Sequence, residues 1–174
     1  MNLLQALKNR RSVRAYTGEH ISDADLDMIL KAGLLAPSGR NIKPWEFILV
    51  KDPAMLKKLA VCRPAGPGML KNADCAIVVL GNTEATDVWT EDCSIAMAYM
   101  HLMADSLGIG SCWIQGRLRP APDGRMAEDL VREWLNIPDK YALEAILSLG
   151  IPEKHPAAHT EDELLTDKIH MEKF

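Results

Sequence analysis

Leu3, Leu4 and Leu7 recur at helical spacing, after which the chain becomes basic over Arg10, Arg11, Ser12, Val13 and Arg14. A short helix is therefore expected to lead three guanidinium groups into an irregular segment. A second helix is written more fully. Ser22 suits an N-cap, Asp23 and Asp25 fall in the first turn, and Leu26, Ile29, Leu30 and Leu34 form a stripe that ends before Pro37. The loop Pro37-Ser38-Gly39-Arg40-Asn41 follows, and Trp45 to Val50 reads as a strand. A Pro-led helix from about Pro53 precedes a second apolar run from Cys75, and both runs are expected to be central strands. From about Glu91 to Leu107 the residues are helical in propensity and apolar on nearly every side, which predicts a helix buried in the core or at a subunit interface, with Gly108 as its stop. A short strand over Ser111–Ile114, a helix around Met126 to Leu135 and a last run from Leu143 to Leu149 complete the pattern. The tail after Gly150 is polar, and a tail of this kind is either disordered or laid over another surface.

The 174 residues are 48% hydrophobic and 25% charged, the balance of a globular chain of one domain, long enough to build a core without disulfides or a structural metal. The four cysteines, Cys62, Cys75, Cys93 and Cys112, show no C-x-x-C pair. Buried, reduced thiols and a cytoplasmic location are expected. A net charge of -4 argues against general nucleic-acid affinity. The N-terminus lacks the features of a secretory signal, and the longest apolar stretch, Ile95 to Met103, is far short of a membrane span and is interrupted by His101. Any anion site in so acidic a chain must be local.

Two segments offer such chemistry. Arg10, Arg11 and Arg14 lie within five positions with Ser12 between them, and guanidinium forks match phosphate oxygens. A solvated basic helix end is the more common meaning of such a cluster taken alone. Pro37, Ser38 and Asn41 shape an open loop able to offer donors and acceptors to a ligand, or equally a connection that satisfies its own backbone. His155 and His159 are four apart, yet Pro156 interrupts a continuous helix and no carboxylate completes a ligand set, so no metal site is expected.

Taken together, Arg10-Arg11-Ser12-Val13-Arg14-x-Tyr16 and Ala36-Pro37-Ser38-x-x-Asn41-x-x-Pro44-Trp45-x-Phe47 resemble the nitroreductase family of flavin-dependent oxidoreductases, specifically its short members. Leu107 to Ile114, Leu149 to Glu153 and the C-terminal Lys168 to Phe174 add to the resemblance in the expected order. It implies an α+β fold with a mixed central sheet flanked by helices, one domain over residues 1–174, and an intertwined homodimer whose tail from about 151 wraps the partner. It further implies FMN as cofactor, NADH or NADPH as co-substrate, and a small-molecule electron acceptor such as a nitroaromatic or quinone, with no catalytic side chain beyond the flavin. By the same resemblance Arg10, Ser12 and Arg14 would hold the FMN phosphate and ribityl chain, with Arg11 adding backbone or charge. Pro37, Ser38 and Asn41 would reach the flavin from the neighbouring subunit. The backbone of Trp113, Ile114, Gln115 and Gly116 would approach the ring, and Lys154 is the candidate for a further phosphate cation. Lys43 stands where relatives often carry Gln, and Arg117 to Arg125 lacks a recognisable counterpart and would line the substrate opening. A specialised flavoenzyme of the same fold, or a non-catalytic FMN-binding redox sensor, are the rival readings.

Overall fold

The computed structural model describes residues 2–174. Helix α1 covers Leu3–Asn9, α2 Asp23–Leu34, α3 Pro53–Leu59, α4 Trp89–Ser106 and α5 Ala127–Leu135. The strands are β1 Trp45–Val50, β2 Cys75–Asn82, β3 Gly110–Gln115 and β4 Tyr141–Gly150, arranged in the order β1-β2-β4-β3. Local signals set the boundaries. Ser22 Oγ accepts the amide of Asp25 at the start of α2, and Asp52 caps α3 by accepting the amides of Ala54 and Met55 ahead of Pro53.

All four strands pair antiparallel. Among the described residues, parallel pairing is confined to the single bridge between Ser12 and Ser111, so the mixed character expected of the sheet amounts to that one contact. β2 is central as anticipated, but β1 is an edge strand. Its apolar run reflects coverage on both faces rather than neighbours on both sides: Phe47 and Leu49 pack with α2 and α4, while Ile48 and Val50 pack on the opposite face with Leu56, Leu59 and Val131. Each face of the sheet thus carries one core.

α4 buries Cys93, Ala96, Met97, Met100 and Ala104 against the sheet and α2. Its other side presents Ile95, Ala98, Tyr99 and Leu102, spaced i, i+3, i+4 and i+7, of which Leu102 is half-buried and the rest exposed. α1 buries none of its residues, and its three leucines are at least half exposed. The first part of the tail lies on its own chain: the amide of His159 donates to the Lys8 carbonyl (2.9 Å), Lys8 pairs with Glu161, and Arg11 donates to the Ala157 carbonyl. Beyond it Leu164, Leu165, Ile169, Met171 and Phe174 are exposed. All four cysteines are free and buried, and among the described residues no helix is long and apolar enough to cross a membrane.

Candidate functional site

The basic segment that follows α1 is stitched to the sheet on two sides. The amide of Val13 donates to the carbonyl of Ser111 (2.9 Å), beside the Ser12–Ser111 bridge. Two residues later the segment pairs antiparallel with the chain leaving β4, Thr17 donating to Ile151 and Glu153 donating to Ala15 around the Tyr16–Pro152 bridge. In this pairing Arg14 and Lys154 each lie one residue beyond the hydrogen bond from Glu153 to Ala15. The pairing requires close approach, because a Cβ on Gly110 would sit 2.7 Å from Val13 and one on Gly150 2.6 Å from Tyr16. Buried Tyr16 locks the segment by donating to the Val13 carbonyl (3.0 Å) and bonding Ser148 Oγ (2.7 Å).

α4 supports the same segment from below. His101 and Asp105, four apart and so on one helix face, meet Arg10 and Arg11: Arg10 Nη1 lies 2.9 Å from His101 Nε2, and the Arg11 amide donates to Asp105 Oδ1 (3.4 Å). His101 Nδ1 in turn lies 2.5 Å from Ser111 Oγ. Burial, and next the charge of Arg10, push the imidazole pKa down to about 4. Among the described residues Arg10, Arg14 and Lys154 have no carboxylate within ion-pair distance. Their charge remains available to an anion, whereas the side chain of Arg11 is spent on the tail.

From this cationic end β3 runs along the open edge of the sheet. The alternation that turns the Ser111 carbonyl toward Val13 turns the backbone of Trp113 and Gln115 toward the same open side. Trp113 Nε1 donates to Gln115 Oε1 (2.9 Å), and the Gln115 amide group lies near the carbonyls of Arg117 and Glu144. A cation cluster continued by an unpaired strand edge suits a ligand with a phosphate at one end and a polar-edged body.

Residues 7–62 and 63–151 match the model of the nitroreductase family. The chain belongs to that family. A protein of Archaeoglobus fulgidus named NADH dehydrogenase/NAD(P)H nitroreductase is 39% identical over 98% of both chains. A solved FMN-dependent nitroreductase from Clostridium difficile R20291 is 43% identical, covers 99% of this chain and 100% of its own, and superposes with a TM-score of 0.96. A nitroreductase of Desulfovibrio desulfuricans solved in complex with FMN covers 100% of this chain and 99% of its own at 27% identity, with a TM-score of 0.81.

In this nitroreductase-family chain, Arg10, Ser12 and Arg14 gather at the start of β3, Lys154 follows the Glu153 amide that donates to Ala15, and Trp113 to Gly116 continue the strand. Pro37, Ser38 and Asn41 do not join them. Their loop leads into β1 at the opposite edge of the sheet, three inter-strand spacings or about 14 Å away. The loop is nonetheless firmly shaped. Ser38 Oγ accepts the amide of Lys43 (2.9 Å), buried Asp92 accepts that of Gly39 (2.8 Å), and Arg40, Asn41 and Lys43 all adopt positive φ. Pro37, Arg40, Asn41 and Lys43 are exposed.

At Gly116, packing within the chain accounts for the glycine, since a Cβ there would sit 2.4 Å from Leu143. Buried Glu144 was not anticipated. The register shift between Val79 and Leu80 turns it toward α4, where Ser94 donates to Oε1 (3.3 Å), Arg117 Nε lies 3.9 Å from Oε2, and burial raises its pKa. The stretch from Arg117 to Arg125 folds back on itself, with Ala121 donating to Arg125 and Ala127 to Arg119. His155 bonds Asp105 (2.7 Å) and His159 bonds Glu163 (2.5 Å), each histidine separately.

Proposed function

We propose that this chain is an FMN-dependent oxidoreductase that passes hydride from NADH or NADPH to a small electron-poor acceptor, a nitroaromatic or quinone, and that it works as a homodimer. The observation that carries the reading is that Arg10, Arg14 and Lys154, which have no carboxylate partner among the described residues, lie with the Ser12 hydroxyl by the open edge of β3 in a nitroreductase-family chain. The donor set fits FMN. Guanidinium and ammonium groups beside a hydroxyl suit a phosphate ester, and the backbone of Trp113 to Gly116 offers an edge to a flat polar ring. FMN, when bound, supplies the hydride acceptance and donation that no side chain of the chain can perform.

The chain's own share is positional and electrostatic. Arg10, Ser12, Arg14 and Lys154 hold the phosphate end, Arg11 ties the tail in place, and Trp113, Ile114, Gln115 and Gly116 set the depth at which the ring rests. Since one chain keeps Pro37, Ser38 and Asn41 at the far edge of its sheet, those residues would serve the site of a second copy. The stripe of Ile95, Ala98, Tyr99 and Leu102 on α4 and the exposed leucines of α1 supply an apolar face for that copy, and the tail, with Leu164, Leu165, Ile169, Met171 and Phe174 exposed, would extend over it. Lys43 and the Arg117 to Arg125 stretch would border the opening. The reduced, buried cysteines suit a cytoplasmic enzyme.

The purified protein should be yellow with a flavin absorption spectrum and should oxidise NADH or NADPH when a quinone or nitroaromatic is supplied. Donor and acceptor would occupy one open face in turn, so double-reciprocal plots at several acceptor concentrations should be parallel. Intersecting lines would mean that both bind together. Arg14→Ala removes a charge-assisted bond to phosphate worth about 1.5 to 3 kcal/mol and should weaken FMN binding about tenfold or more. Equal affinity in the wild type and the variant, measured by flavin fluorescence, would reject the phosphate role of Arg14.

A further inference from the structure

The side chain of Arg10 leaves the C-terminal end of α1 with little to fix it from its own segment, yet its guanidinium is half-buried and oriented. What orients it is His101. Arg10 carries only donors, so the 2.9 Å contact requires His101 Nε2 to accept. The ring proton then resides on Nδ1 and is donated to Ser111 Oγ at 2.5 Å. The imidazole is 7% exposed, sits on a helix whose buried face is otherwise mostly apolar, and meets β3 through the Ser111 hydroxyl. Ser111 closes the arrangement, because its own carbonyl accepts the amide of Val13 between Ser12 and Arg14. The chain Arg10–His101–Ser111 therefore joins the cation and the strand that the phosphate would meet.

We propose that His101 is a positioning residue for the phosphate site, a neutral buried acceptor that aims Arg10 while leaving its charge uncompensated. A carboxylate at this position would hold the guanidinium equally well but would neutralise it toward an anion. A neutral imidazole orients the fork and preserves the full positive charge for the ligand. The proposal rests on the reading of the site as an FMN site, and it assigns to His101 an effect that depends on the phosphate and not on the ring.

The test uses the holoprotein. Dilution is followed by the return of free-flavin fluorescence, first with FMN in the site and then after exchange for riboflavin, which carries the ring and ribityl chain without phosphate. His101→Leu should weaken FMN about tenfold and leave riboflavin within about twofold, the loss expected for one hydrogen bond to a charged group. His101→Gln, whose amide oxygen can accept from Arg10, should retain most of the affinity, and it serves as the test if His101→Leu does not fold. In an Arg10→Ala background His101→Leu should have no further effect on FMN, because the two act as one unit. An equal loss of FMN and riboflavin affinity, an unchanged FMN affinity, or additive effects with Arg10→Ala would each overturn the positioning role. A wild-type protein that holds no FMN would reject the FMN reading itself, and a wild-type protein that holds riboflavin as tightly as FMN would reject the phosphate site.

Discussion

Ala98→Arg should convert a flavin-bound dimer into a colourless monomer. Ala98 lies on the side of α4 turned away from the sheet, between Ile95 and Leu102, and is exposed in the chain taken alone. An arginine there has room and hydration in the monomer, so the fold should survive. In a dimer that covers the stripe, the same guanidinium would be buried without a partner, at a cost on the order of 3 to 5 kcal/mol. A dimer dissociation constant should rise by roughly a hundredfold to a few thousandfold. Sedimentation at micromolar concentration reads the assembly and absorbance reads the flavin. Both should fall together, because on the proposed reading Pro37, Ser38 and Asn41, at the sheet edge opposite Arg10, Ser12 and Arg14, serve the site of a second copy. A monomeric variant with undiminished flavin affinity would show that one chain suffices.

What could be foreseen from the residues divides along a physical line. Ser22, Pro53 and the apolar period of α2 are local signals, and they set helix starts where expected. The basic cluster was visible by composition while its role came from the family resemblance, and Gly110 and Gly150 have their meaning in the close approach of Val13 and Tyr16. The sheet edges were not legible. The run from Trp45 to Val50 is apolar because helices cover both its faces, and nothing in that run reveals how many neighbouring strands it has. The hydrogen bond from Glu153 to Ala15, beside Lys154 and Arg14, joins the two ends of the chain, and the sequence alone could only offer Lys154 as the available cation. His101 and Glu144 were missed because each is a polar residue inside an apolar pattern. One is turned inward by helix phase and the other by a strand irregularity, and both depend on tertiary structure for their partners.

Acidification should unfold this protein partly through His101. Its folded-state pKa of about 4 lies below the ordinary value of 6.5, burial being the main cause, with Arg10 opposing protonation and Asp105 favouring it. An unfolded chain therefore binds a proton at His101 across the interval in which the folded chain does not, so the stability is present above about pH 6.5 and is lost as the pH falls toward 4. At about 1.4 kcal/mol per unit, the loss between pH 7 and pH 4 amounts to about 3 kcal/mol. For a chain of this size that corresponds to a fall in melting temperature of roughly 6 to 12 °C. Buried Glu144 contributes with the opposite sign because its pKa is raised, so the total pH dependence is not a measure of His101 alone. The difference between wild type and His101→Gln is. At equal protein concentration the variant should begin less stable at neutral pH and should lose about 3 kcal/mol less on acidification, because its side chain does not titrate. Melting curves that stay parallel for the two proteins from pH 7 to pH 4 would show that His101 takes up its proton in the folded state near the ordinary value of 6.5, and Arg10 would then lose its acceptor throughout the acid range.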